Sequence, residues 1–197
     1  MPTELLIQEH LELMRSLPLR LARLANSIGT TQWPGQPVRL NLPSGVVLSN
    51  QVRTEINARL NGLTKIIEGS NPTPNEAAKA RLALLTRMLL AMPVGGSSSE
   101  TAAEARADMY DDALSDIPPW AIDAAIKRWG KGDVPELKMG TLNFSFAPAP
   151  AILRKLCKLE VQPFEDQALK LTRVLRAISA ERAMDPAPLC EGGIPKF

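Results

Sequence analysis

The sequence predicts an all-α fold arranged as two small helical modules. Three observations lead there. Aromatic residues make up 4% of the chain while 45% is apolar, so the core has to be built from Leu, Ala, Ile and Met, a palette that favours helices over sheets. Apolar residues recur at helical spacing in one segment after another. Prolines and glycines fall at the ends of those segments, where a helix starts or stops.

The first element is a helix over residues 3–27. Ile7, Leu11 and Met14 stand at helical spacing, and Leu17, Leu21, Leu24 and Ile28 continue the stripe. Pro18 should kink or split it, because proline removes an amide donor and clashes with the preceding turn. Gly29 is placed to end it. Residues 29–49 hold Trp33-Pro34-Gly35, Pro37, Pro43 and Gly45 and read as a linker or packed loop, with 38–42 and 46–48 pairing as a small hairpin. A second helix occupies 50–68, with Val52, Ile56, Leu60, Leu63 and Ile67 as its stripe and Gly69 at its end. Thr73, Pro74 and Glu76 form a capping box with proline at the first helical position. The helix it opens runs to Met92, with Ala78, Leu82, Leu85, Leu89 and Met92 on one face. These two helices and their short turn make an αα-hairpin.

The segment PVGGSSS at 93–99 is the expected domain boundary. It separates an N-terminal helical module at 1–94 from a second module at 100–184, with a loose tail at 185–197. Thr101 and Glu104 form another capping box for a helix to Leu114. Pro118 and Pro119 sit in the first turn of the next helix, where the missing amides would be unpaired anyway. Ile122, Ala125, Ile126 and Trp129 give that helix its inward face, and Gly130 and Gly132 stop it. A loop leads through Phe144 and Phe146 to a short helix begun by Pro148 and Pro150, with Ile152, Leu156 and Leu159 inward. Pro163 should break the chain again. The last helix, about 164–184, carries Phe164, Ala168, Leu171, Leu175 and Ile178 at 4-3-4-3 spacing. That seam suits another helix, either of its own module or of a second copy.

Function classes narrow by what the residues lack. The single histidine, His10, has no second imidazole with which to build a metal site, and no orienting partner is evident. Neither a GxxxxGK[ST] loop nor a GxGxxG loop is present. Asp108, Asp111, Asp112 and Asp116 are spaced as an acidic helix face rather than as Mg²⁺ ligands on separate elements. Cys157 lies beside Lys155 and Lys158, whose charges would lower its pKa, but with no histidine nearby it reads as a structural thiol. No catalytic residue, cofactor or metal is therefore expected, and the protein is expected not to be an enzyme. The two cysteines lack CxxC spacing, which suits a reducing compartment. Early acids at Glu4, Glu9 and Glu12 argue against a signal peptide, and no run of 18 apolar residues occurs. The expected location is the cytoplasm, with no membrane partner.

Net charge is +2, unevenly spread. Residues 1–96 hold 10 Lys and Arg against 6 Asp and Glu, and residues 97–197 hold 13 against 15. The basic front half is compatible with DNA phosphates, and Arg15, Arg20, Arg23, Arg53, Arg59 and Lys65, interleaved with apolar residues, are the DNA-binding candidates. The same pattern also fits solvated helix faces. Trp120 and Trp129 are nine residues apart and face different sides of their helix. Trp129 completes the apolar stripe. That leaves Trp120 either exposed as a partner contact, with the basic cluster Lys127, Arg128 and Lys131 nearby, or capping the helix start.

The order Tyr110-x3-Leu114-x-Asp116-x-Pro118-x-Trp120-x3-Ala124-x4-Trp129, continued by a Gly-containing loop and Phe146-x-Pro148-x-Pro150-x2-Leu153, resembles the small helical domain of the phage replicative helicase loader and inhibitor family. There a tyrosine-bearing helix leads to a proline-started, alanine-rich helix, and an aromatic-Pro start opens a third. The resemblance covers about residues 104–158 and is a packing signature. It implies a non-enzymatic accessory protein of phage or prophage DNA replication, acting as loader or inhibitor. Its partners would be a replicative helicase and a DNA-bound initiator. The family's helicase contact lies largely in a flexible C-terminal part, whereas 163–197 here reads as a helix and a short tail. Two other readings stand beside it: a helical DNA-binding regulator, and a homo-oligomer built on the 164–178 seam.

Overall fold

The computed structural model describes residues 14–32, 34–35, 37–69, 73–92, 100–135, 137 and 142–177, with residues 100–105 described by backbone alone. The described residues are mostly helical: α1 (Leu19–Asn26), α2 (Asn50–Glu68), α3 (Pro74–Ala91), α4 (Glu100–Ala113), α5 (Pro119–Gly130) and α6 (Pro150–Arg176). Strands β1 (Gly29–Thr31) and β2 (Arg39–Asn41) form one antiparallel pair, with Thr30 opposite Leu40. No helix among the described residues is long and apolar enough to cross a membrane.

The chain forms two compact units. The larger comprises residues 1–15 and 62–166, and the smaller comprises 16–61 and 167–197. The expected boundary at 93–99 lies outside the described residues, and the units do not divide there. α3 packs on α4 and α5, so the segments before and after 93–99 share one core. That core unites Leu85, Met88 and Leu89 of α3 with Ala107 and Tyr110 of α4, Ile122, Ala125 and Trp129 of α5, and Leu153, Leu156 and Cys157 of α6. Fully burying one such aliphatic side chain contributes about 1.5–3 kcal/mol, which ties α3 to the later helices more strongly than a Gly/Ser segment can separate them.

Punctuation behaves largely as the sequence predicts. Thr73 caps α3, its hydroxyl accepting from the Glu76 amide at 3.2 Å and donating to the Glu76 carboxylate at 2.9 Å, with Pro74 in the first turn. Pro118 and Pro119 open α5. Gly69 and Gly132 lie just past α2 and α5 with φ of 84° and 68°, a left-handed conformation that glycine adopts without strain. Pro18 splits the expected element, with Met14 helical, 15–18 not, and α1 starting after the proline; residues 3–13 of that expected helix lie outside the described residues.

Four expectations are corrected. The hairpin pairs 29–31 with 39–41, not 38–42 with 46–48, because the Val46 amide closes a tight turn onto the Pro43 carbonyl at 3.0 Å. Pro163 does not break the chain: α6 runs through it for 27 residues. Val161 and Phe164, 2% and 0% exposed, flank the proline and hold both sides in one packed helix, which outweighs the lost amide bond. The buried stripe of α6 is also rotated from the expected one. It runs Leu153, Leu156, Cys157, Glu160, Val161 and Phe164, then Gln167, Leu171, Val174 and Ala177, so Ala168 and Leu175 are half-buried flanks. On α3 the inward face is Arg81, Leu85, Met88 and Leu89, and Leu82 is left exposed.

Candidate functional site

In the larger unit, side chains with chemical character are engaged in holding the helices. Three aromatic donors meet main-chain carbonyls: Tyr110 Oη to Pro148 O at 2.7 Å, Trp129 Nε1 to Phe146 O at 2.8 Å, and Trp120 Nε1 to Ile66 O at 2.7 Å. Burial pushes the Tyr110 phenol above its ordinary pKa. Trp129 is buried, as its place on the stripe requires, and Phe144 packs edge-on against it at 4.8 Å. Trp120 is not the exposed residue expected of a partner contact. Its ring meets Phe164 edge-on at 5.5 Å, and its N–H serves a carbonyl in the last turn of α2, where the helix supplies too few donors of its own.

Several ionic groups of this unit are likewise paired. Glu160, 6% exposed, receives Arg128 on Oε1 at 2.8 Å and Arg15 on Oε2 at 3.0 Å. Arg81 of α3 grips Asp111 of α4 with Nε at 2.8 Å. Arg154 binds both oxygens of Asp116 at 2.6 and 2.9 Å and the Ala113 carbonyl at 2.6 Å. Those hydrogen bonds, with Lys158 adding to them, hold the Asp116 carboxyl down at about 2. Lys127 meets Asp123 at 2.6 Å. The neighbouring lysines do not activate Cys157: the thiol is fully buried, and desolvation pushes it up to about 12.

Of the four partner-contact candidates, then, Trp120 and Arg128 serve the fold, Lys127 is exposed but ion-paired, and Lys131 is exposed at the end of α5. The six DNA-binding candidates also separate. Arg15 and Lys65 belong to the larger unit. Arg20, Arg23 and Arg53 are exposed in the smaller one. Arg59 of the smaller unit acts as a strut, donating from Nη2 to the Ser16 carbonyl at 2.7 Å and to Gln167 Oε1 at 3.4 Å; burial lowers its pKa. Arg39, Lys170, Arg173 and Arg176 fold into the same unit and are not among the sequence-based candidates. Averaging charge over two halves of the sequence hides them, because residues 170–176 group with 16–61 and not with 97–166.

An open groove of about 980 Å³ runs along α3 and α4 in the larger unit. Leu82, Ala83, Thr86, Leu90 and Ala91 line it, with Lys79, Arg87 and Asp108 also on its walls. Leu82 and Leu90 are 38% and 43% exposed. No protein-family model, no curated protein and no solved structure matches the chain.

Proposed function

We propose that the chain is a non-enzymatic adaptor in DNA replication that docks a helix of a replicative helicase into the α3–α4 groove. The observation that carries the docking is the exposed pair Leu82 and Leu90, eight residues apart and so roughly 12 Å along one helix. Ala83, Thr86 and Ala91 line the groove with small side chains, which lets another helix approach closely. The occupant this fits is an amphipathic helix with apolar residues two turns apart and a carboxylate facing Lys79. The helicase as its source, and a DNA-bound initiator as a second partner, come from the resemblance of 104–158 to helicase loaders. A non-enzymatic role agrees with a buried, protonated Cys157 thiol and with carboxylates held by arginines.

Calorimetric titration of the replicative helicase encoded in the same genome into the full chain tests this. Leu82→Asp with Leu90→Asp should weaken binding about 100-fold, since two apolar anchors of about 1.5 kcal/mol each are lost. The circular dichroism melt should hold, because both side chains are exposed. Absence of binding by the parent chain, or equal binding by the double variant, refutes the proposal.

A further inference from the structure

We propose that the smaller unit binds the phosphodiester backbone of a double-helical nucleic acid. Its described residues, within 16–61 and 167–177, hold eight Lys and Arg against one acid, Glu55, a net charge of +7. Arg20, Arg23, Arg53, Lys170, Arg173 and Arg176 are exposed, and none forms an ion pair among the described residues. In the larger unit most cations meet carboxylates, as Arg81, Arg87, Lys127, Arg128, Arg154 and Lys158 do, and Lys65, Lys79, Lys131 and Lys155 are exposed among many more acids. Crowding like charge on a small body opposes folding unless an anion is met. Helix ends account for part of it: Arg23, Arg173 and Arg176 sit in last turns, where cations offset the helix dipole. Arg20, Arg53 and Lys170 have no such role.

The cations are held in place. Arg59 joins the Ser16 carbonyl, just before α1, to Gln167 of α6, so the helices bearing Arg20 and Arg23, Arg53, and Lys170 to Arg176 are fixed around one guanidinium. Arg20 and Arg23, Lys170 and Arg173, and Arg173 and Arg176 are three residues apart, each pair on one helix face. Positively charged rigid helices contact a backbone through its phosphates, without reading sequence. Single strands need successive aromatic platforms, and the unit's sequence holds only Trp33 and Phe197. An anionic membrane would call for a continuous apolar helix face; Leu21 of α1 is 1% exposed and turned inward, and the exposed Leu19 and Leu169 stand singly on different helices.

Fluorescence anisotropy of the full chain tests the proposal against a labelled duplex DNA, the matching RNA duplex, a single strand of equal length, and phosphatidylserine-containing vesicles. Binding to either duplex supports it, and the DNA and RNA arms identify which double helix is the ligand. With about six phosphate contacts, affinity should fall roughly 10³-fold between about 50 and 200 mM salt. Lys170→Gln with Arg173→Gln should lower the salt slope by about two, with an unchanged circular dichroism melt. Lys131→Gln with Lys155→Gln, both exposed in the larger unit, should leave the slope as it was. Binding to vesicles but not duplexes, tighter binding to the single strand, no duplex binding at the low salt, or equal slopes for both double variants would each overturn it.

Discussion

Replacing Trp120 separates a structural tryptophan from a partner anchor. Its indole is half-buried on Phe164, and its N–H donates to the Ile66 carbonyl. Trp120→Phe keeps a ring against Phe164 and removes the donor. The Ile66 carbonyl still accepts from the Gly69 amide at 3.2 Å, so the loss should be near the value of one neutral hydrogen bond, about 1 kcal/mol. Trp120→Ala also removes the edge-on pair, about 0.5–1.5 kcal/mol, and the buried part of the ring. The total is about 3 kcal/mol, the low end for emptying an aromatic site because this one is partly open. For a chain of this length that is a fall of roughly 6–12 °C in melting temperature. Thermal melts of both variants monitored by circular dichroism would measure it. A Trp120→Ala protein that melts within a degree or so of the parent, while losing partner binding, would show that the ring works outward and that the packing argument fails.

The ion pairs yield two more expected outcomes. Glu160→Gln keeps the shape but leaves Arg128 and Arg15 without their carboxylate; with Arg15 47% exposed on its side chain, the cost should be about 2–4 kcal/mol by urea denaturation, below the full range for a broken buried pair. A change under about 0.5 kcal/mol would mean that solvent already supports both arginines. The Asp116 carboxyl, lowered to about 2 first by Arg154 and then by Lys158, has a folded pKa below its unfolded one, so its contribution is present above about pH 4 and lost as pH falls from about 4 to 2. Asp116→Asn should flatten the acid limb of melting temperature against pH over that window, and an identical acid limb in both proteins would count against the assignment.

The features legible in the sequence are those that short-range rules govern. Helix starts at Thr73 and at Pro118-Pro119, the end at Gly69, and the inward face holding Trp129 each depend on residues within a turn or two. The stripe of α6 escapes such rules for a physical reason. Pro163 is a local breaker, and discounting the helix beyond it separates residues 150–162 from 164–177, although Val161 and Phe164 pack continuously. Leu82 reads as inward because leucine fits a stripe, while that place belongs to Arg81, whose buried guanidinium is satisfied by Asp111 thirty residues later. No local pattern announces such a pairing. The basic unit is half visible for the same cause: Arg20, Arg23 and Arg53 are close in sequence, but Lys170, Arg173 and Arg176 join them only through the tertiary fold.

The three aromatic donors share a property with a consequence for how this chain can vary. Tyr110, Trp129 and Trp120 each deliver a proton to a main-chain carbonyl, those of Pro148, Phe146 and Ile66. Every amino acid carries that acceptor. The receiving residues are therefore replaceable as far as these bonds are concerned, while the donating rings are not, since no other side chain carries a donor at that reach and angle. Random mutagenesis with selection for folded protein should thus yield a lopsided pattern. Position 146, which is 44% exposed and whose carbonyl is fixed by backbone geometry, should accept many side chains, and positions 110, 120 and 129 few. Drift in such a chain would erase the loop before α6 while preserving three aromatic positions at fixed distances, so a distant descendant would be recognised by its ring spacing and by little else.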